Sequence, residues 1–246
     1  MRLLIINPNT SQDVTDLIAD QARKSTAPGT DLDFATASRG VPYIATRAEA
    51  IIGGHVALEM LAERADDFDA AIIAAFGDPG LGGARELFDQ PVVGLAEAGM
   101  LTACMLGRRF AIVSFSGTLE PWYQECVEWH GLTDRLATIL TLDRSFQSIG
   151  TVQRELTEDL ISLCHRAVKD HRADVIVIAG APLSGLAQQI GDQVPVPMID
   201  CVSAAVHQAE CLVRLGCKKA TVGTFKRPAM KPSCGLHQAL AKRISG

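Results

Sequence analysis

The chain has 246 residues, 48% of them apolar, and 23 basic against 28 acidic residues set a formal net charge of −5. The apolar share together with 21% charged residues excludes a disordered chain, and the acidic balance argues against a nucleic-acid partner, which needs a basic surface. At roughly 150 residues per domain the length fits one large domain or two small lobes, with a core that holds without staples.

The N-terminal run Leu3 to Ile6 is too short for a signal peptide, and no apolar run approaches the ~20 residues that span a bilayer. That run reads as a strand ending in the polar turn Asn7-Pro8-Asn9-Thr10. Val14, Leu17, Ile18 and Ala22 then mark one helix face, with Thr10 and Asp13 as a capping-box-like start. Leu32, Phe34 and Thr36 alternate as a strand, and Thr46 with Glu49 opens a second helix. The runs 70–75, 91–95, 110–113, 175–178 and 196–199 read as buried parallel strands separated by helical segments. Residues 220–223 read as one more strand-like piece before a final helix.

Part of the chain repeats. DAAIIAAFGDPGL at 69–81 matches DVIVIAGAPLSGL at 174–186, RLLIINPNTS at 2–11 matches RFAIVSFSGT at 109–118, and PVVGLAEA at 91–98 matches PMIDCVSA at 197–204. Three ordered matches at nearly constant spacing predict two similar α/β lobes with parallel sheets, one built on residues 1–97 plus 211–246, the other on 98–210. No linker separates them, so they should pack closely. In open α/β sheets ligands bind beyond the carboxyl ends of the strands, which directs attention to the loops 7–11, 76–81, 114–118 and 180–186.

INPNTS at 6–11, FGDPGL at 76–81, GLAEA at 94–98 and IDxVSAAV at 199–206 resemble the hydantoin and allantoin racemases of the Asp/Glu racemase superfamily, over essentially the whole chain. The resemblance implies two pseudo-symmetric Rossmann-like lobes with the active-site cleft between them, a homo-oligomer, and an isomerase that uses neither cofactor nor metal. Its chemistry is proton abstraction next to a carbonyl by one cysteine from each lobe. This chain departs from the pattern at both places: Ala75 precedes FGDPGL, and Gly180 takes the equivalent position in the second lobe. Three readings stay open: an engineered Cys→Ala exchange at position 75, different chemistry in the same cleft (a lyase, isomerase or hydrolase), or ligand binding without catalysis.

The candidate catalytic residues are therefore Asp78 as a general base, Ser184 as a nucleophile or donor, and Cys201 as a displaced thiol. Each has a structural rival: turn shaping for Asp78, an ordinary loop role for Ser184, core packing for Cys201. The candidate substrate-binding residues are Asn7, Asn9, Thr10, Phe76, Gly77, Ser114, Ser116, Gly117, Thr118, Gly180 and Ala181, suited to a small molecule with a carbonyl or carboxylate. Asn7, Asn9 and Thr10 serve equally well as an Asx turn and N-cap. The seven cysteines form no CxxC pair and read as reduced, mostly buried thiols of a cytoplasmic protein. His207 and Cys211 lie four apart on a predicted helix but lack a third ligand nearby, so no metal site is expected.

Overall fold

The computed structural model describes residues 1–65, 67–142 and 147–245. In chain order the elements are β1 (Arg2–Asn7), α1 (Gln12–Ser25), β2 (Asp31–Thr36), α2 (Arg47–Glu63), β3 (Ala70–Ile73), α3 (Leu81–Leu87), β4 (Val92–Gly94) and α4 (Leu95–Leu106). They continue with β5 (Phe110–Ser114), α5 (Glu120–Trp129), β6 (Leu136–Thr141), α6 (Val152–His171), β7 (Val175–Ile178), α7 (Leu186–Ile190), β8 (Met198–Asp200), α8 (Cys201–Leu215) and α9 (Gln238–Ser245). Two four-stranded parallel sheets result, ordered β2-β1-β3-β4 and β6-β5-β7-β8. The same strand order in each half is the architecture that the repeat predicts.

The inner strands β3 and β7 are buried at every position, which is why they read as unbroken apolar runs. Edge strand β6 is half-buried and carries Thr138 and Thr141, so its signal was too weak for the sequence reading to include it. Helix α2 opens with the predicted capping box, Thr46 and Glu49 each bonding the other's backbone. At α1 the expectation is corrected: Ser11, not Thr10, is the N-cap, its side chain accepting from the Val14 N–H. The Thr10 N–H is instead held by the Val41 carbonyl, which keeps that residue in the turn.

The helices after the fourth strands change sides. α4 leaves the first sheet and packs on β7 and β8, while α8 leaves the second and packs on β3, β4 and α1. One apolar cluster consequently runs through both lobes, from Leu3 and Ile72 to Val113 and Val177. A smaller cluster lies on the far face of the first sheet, where Leu240 of α9 meets Ala57 and Leu61 of α2.

Two expectations fail here. Residues 220–223 form no strand; every residue there is exposed, so no burial favours extended pairing. The cysteines are all free, but Cys211, Cys217 and Cys234 are exposed and Cys104 is half-buried, leaving only Cys126, Cys164 and Cys201 in the interior.

Candidate active site

The strand ends of the two lobes meet at a small pocket of about 20 Å³, lined by Asn9, Tyr43, Ile44, Ala75, Phe76, Trp122, Tyr123, Gly180, Ala181 and Pro182. Ala75 and Gly180, the matched positions of the two repeats, thus face one space. The space holds roughly one water. Aromatic rings close it from both lobes: Phe76 lies 4.5 Å from Tyr123, and Tyr43 lies 5.7 Å from Phe115.

The polar groups aimed into this pocket are few. Asn9 is fixed by its Oδ1, which accepts from the Ser11 N–H and from Asn7 Nδ2. That arrangement leaves the Asn9 Nδ2 as a donor for a ligand. The Tyr43 hydroxyl is buried and makes no well-formed hydrogen bond among the described residues, with the Ser116 side chain as its one polar neighbour. Burial, and then the charge of Glu49, push its pKa up; burial does the same for Tyr123. Both phenols are therefore donors rather than bases at neutral pH.

Position 180 differs in kind from position 75. Gly180 has φ +108°, and a Cβ built there would lie 2.8 Å from the Phe115 ring. Such a backbone belongs to glycine alone. A side chain at 180 is therefore strained by the backbone and crowded by the Phe115 ring. Ala75 carries its Cβ in ordinary surroundings and remains 7% exposed.

The other sequence candidates are placed as follows. Asn7 is wholly buried, its Nδ2 engaged with Asn9, Ser11 and Thr15, and Thr10 lies in the same turn. Ser114 donates to the Ala179 carbonyl and ties β5 to β7. Ser116 and Thr118 bond each other at 2.9 Å, and Gly117 and Thr118 are exposed. The Ser184 hydroxyl donates to the Ala181 carbonyl at 2.6 Å, bracing the loop from behind. The Cys201 thiol donates to the Ile178 carbonyl and is buried against Gly99 of α4; burial pushes its pKa well up. Asp78, Ser184 and Cys201 all lie outside the pocket lining.

Asp78 sits on the outer side of the 76–81 loop with φ +50°. Its two oxygens accept from the Ala96 and Glu97 N–H groups at the start of α4, each at 2.8 Å. The buried side chain of His130, the C-cap of α5, contacts Asp78 at 3.1 Å and Glu97 at 3.5 Å, and Arg85 bonds Glu97 from the other side. Burial opposes both charges here, but the opposite charges prevail: His130 is pushed up to about 9 and Glu97 down to about 2. Asp78 and His130 edge a second, open pocket of about 590 Å³ walled by Trp122 and Trp129. It is larger than the inter-lobe pocket but does not contain the strand-end positions. Asp78, Cys126 and His130 place a carboxylate oxygen, a sulfur and a ring nitrogen within 4.8 Å of one another, which is the group able to hold a metal ion.

The sequence reading missed Tyr43, Trp122, Tyr123 and His130. A signal existed: the chain has only 2 tyrosines and 2 tryptophans, and all four lie at these two pockets.

Two parallel-sheet lobes whose strand-end positions line one small pocket define a two-lobe α/β fold. A model of the Asp/Glu/hydantoin racemase family matches residues 3–209, and the chain belongs to that family of isomerases. The hydantoin racemase of Paenarthrobacter aurescens is 36% identical over 94% of this chain and 99% of its own length. An allantoin racemase from Klebsiella pneumoniae superposes with a TM-score of 0.92 at 34% identity, covering 98% of each chain. A variant of arylmalonate decarboxylase, with a glycine changed to cysteine and a cysteine to serine, shares the fold at TM-score 0.68 and 16% identity, over 88% of this chain and 94% of its own. Among the described residues no helix is long and apolar enough to cross a membrane.

Proposed function

We propose that the inter-lobe pocket takes a small hydantoin, ureide or amino-acid-like compound through a carbonyl and polarises that carbonyl in a racemase-like reaction. The observation that carries this reading is the buried Tyr43 hydroxyl, a donor without a well-formed bond and with only the Ser116 side chain near it, at the pocket that joins positions 75 and 180. A buried donor without a well-formed bond is costly, and a ligand oxygen there would satisfy it. Asn9 Nδ2 is the second donor, and the names of the similar racemases support the substrate class. A ring-sized ligand requires the loop carrying Tyr43 to shift or the lobes to part, because the space is too small. The resemblance supports a homo-oligomer, and the absence of CxxC pairs among the seven cysteines supports a cytoplasmic location.

A second reading has its own observation. The pocket lining contains no carboxylate, imidazole, amine or thiol, so no side chain there is suited to remove a carbon-bound proton at neutral pH. That favours a lyase, isomerase or hydrolase independent of a cysteine pair, or a ligand-binding role.

Proton NMR in D2O with 5-substituted hydantoins and allantoin separates the two. Exchange at the α-carbon with inversion, lost in Tyr43→Phe, is the expected result. Binding without exchange discards the racemase reading and leaves the second.

A further inference from the structure

We propose that Asp78, Cys126 and His130 form a binding site for a zinc-class divalent metal ion behind the 76–81 loop, outside the inter-lobe pocket. Cys126 lies in the last turn of α5 and His130 caps its C-terminus, its N–H bonding the Cys126 carbonyl, and the four-residue spacing puts the two side chains on one side. Asp78 reaches them from the first lobe. Its contact with His130 Nε2 is 3.1 Å, close to the nitrogen–oxygen edge of a tetrahedral site, about 3.3 Å for bonds of ~2.0 Å. The corresponding sulfur–nitrogen edge is about 3.5 Å, so from its position within 4.8 Å the Cys126 sulfur has no more than about 1.3 Å to close. A sulfur, an imidazole and one carboxylate select zinc or cobalt over magnesium or calcium, which take oxygen ligands.

The surroundings are those of a ligand set. The second ring nitrogen of His130 faces Glu97 at 3.5 Å, and Arg85 holds Glu97 in place. A carboxylate behind a ligating imidazole fixes its tautomer and raises its basicity. Each Asp78 oxygen accepts one backbone N–H, which leaves a further lone pair on Oδ2. All three residues line the open 590 Å³ pocket, giving the ion an entry path and a fourth position for water.

The rival occupant is a proton, with His130 as an imidazolium between two carboxylates. Metal entry displaces that proton from Nε2 and a second from the Cys126 sulfur; two positive charges enter and two leave. The ion would pin helix α5 to the loop that supplies Ala75 and Phe76. The inference stands apart from the proposed reaction, and its test needs no substrate.

The test is a Co2+ titration of chelator-treated full-length protein in which the exposed Cys211, Cys217 and Cys234 are serine. A thiolate-to-cobalt charge-transfer band with four-coordinate ligand-field bands, both suppressed by excess Zn2+, is expected. Cys126→Ser should abolish the charge-transfer band, and Glu97→Gln should weaken binding about 10–100-fold. Cys201→Ser should change neither. Folded protein that gives no such band, or a band that survives Cys126→Ser, overturns the proposal and leaves the proton as the occupant.

Discussion

The loops after β3 and β7 do the same work with the carboxylate in different places. In both lobes the loop turns through a left-handed glycine, Gly80 at φ +83° and Gly185 at φ +84°. In both, a carboxylate caps the helix that follows the fourth strand. In the second lobe it belongs to the N-cap itself: Asp200 accepts from the Ser203 N–H and also holds the Gly185 N–H at 2.6 Å. In the first lobe the N-cap is Gly94, and a Cβ there would lie 2.4 Å from the Asp78 carboxylate. Asp78 therefore fills from the loop the place that the Asp200 side chain fills from the helix. The comparison accounts for Asp in FGDPGL as a cap. It also shows that near-symmetric backbones do not guarantee equivalent chemistry at the strand ends, since Ala75 carries a side chain and one at 180 is strained.

The largest expected effect tests the shared cap. Asp78→Ala removes two N–H acceptors and strips His130 of a partner, at a cost of about 3–5 kcal/mol in urea unfolding. Adding Gly94→Asp to that variant should recover most of the loss. If the double variant is no better than the single one, the equivalence of Asp78 and Asp200 is wrong.

Next comes the asymmetry at the strand ends. Gly180→Cys should destabilise by about 2–3 kcal/mol through the φ restriction and the Phe115 contact, while Ala75→Cys should cost less than about 1 kcal/mol. Equal melting temperatures for the two variants would remove the argument that the second-lobe loop disfavours a side chain.

Tyr43→Phe is a smaller change with opposite signs in two assays. Stability should hold or rise by up to about 1 kcal/mol, because an unsatisfied buried hydroxyl leaves. Ligand affinity in calorimetry should fall about tenfold, or about 1.4 kcal/mol. Lost stability with unchanged affinity would place that hydroxyl in the fold rather than the site. Ser184→Ala should cost about 1 kcal/mol, the value of one neutral hydrogen bond, without altering ligand binding; a binding defect would return Ser184 to the site.

Much of the fold was legible because buried parallel strands leave unbroken apolar runs and a repeated lobe leaves matched motifs. The edge strand β6 was not, since a half-buried strand with threonines resembles any mixed segment. At the inter-lobe pocket, the lining by Asn9, Phe76, Gly180 and Ala181 was legible because they lie beside strand ends, where α/β sheets bind ligands. Tyr43 was missed because it comes from the irregular stretch between β2 and α2, which carries no periodicity. His130 was missed because its partners, Asp78 and Glu97, are distant in sequence and meet it only across the lobes.

The sequence by itself determined the two-lobe architecture, the family and the lack of cysteine at positions 75 and 180, because these follow from local runs, repeats and residue identity. Only the tertiary structure decided that a side chain at 180 is strained, that Asp78 caps a helix, and which donors reach the pocket. Those properties depend on backbone angles and on contacts between lobes, and neither is encoded in any single stretch of chain.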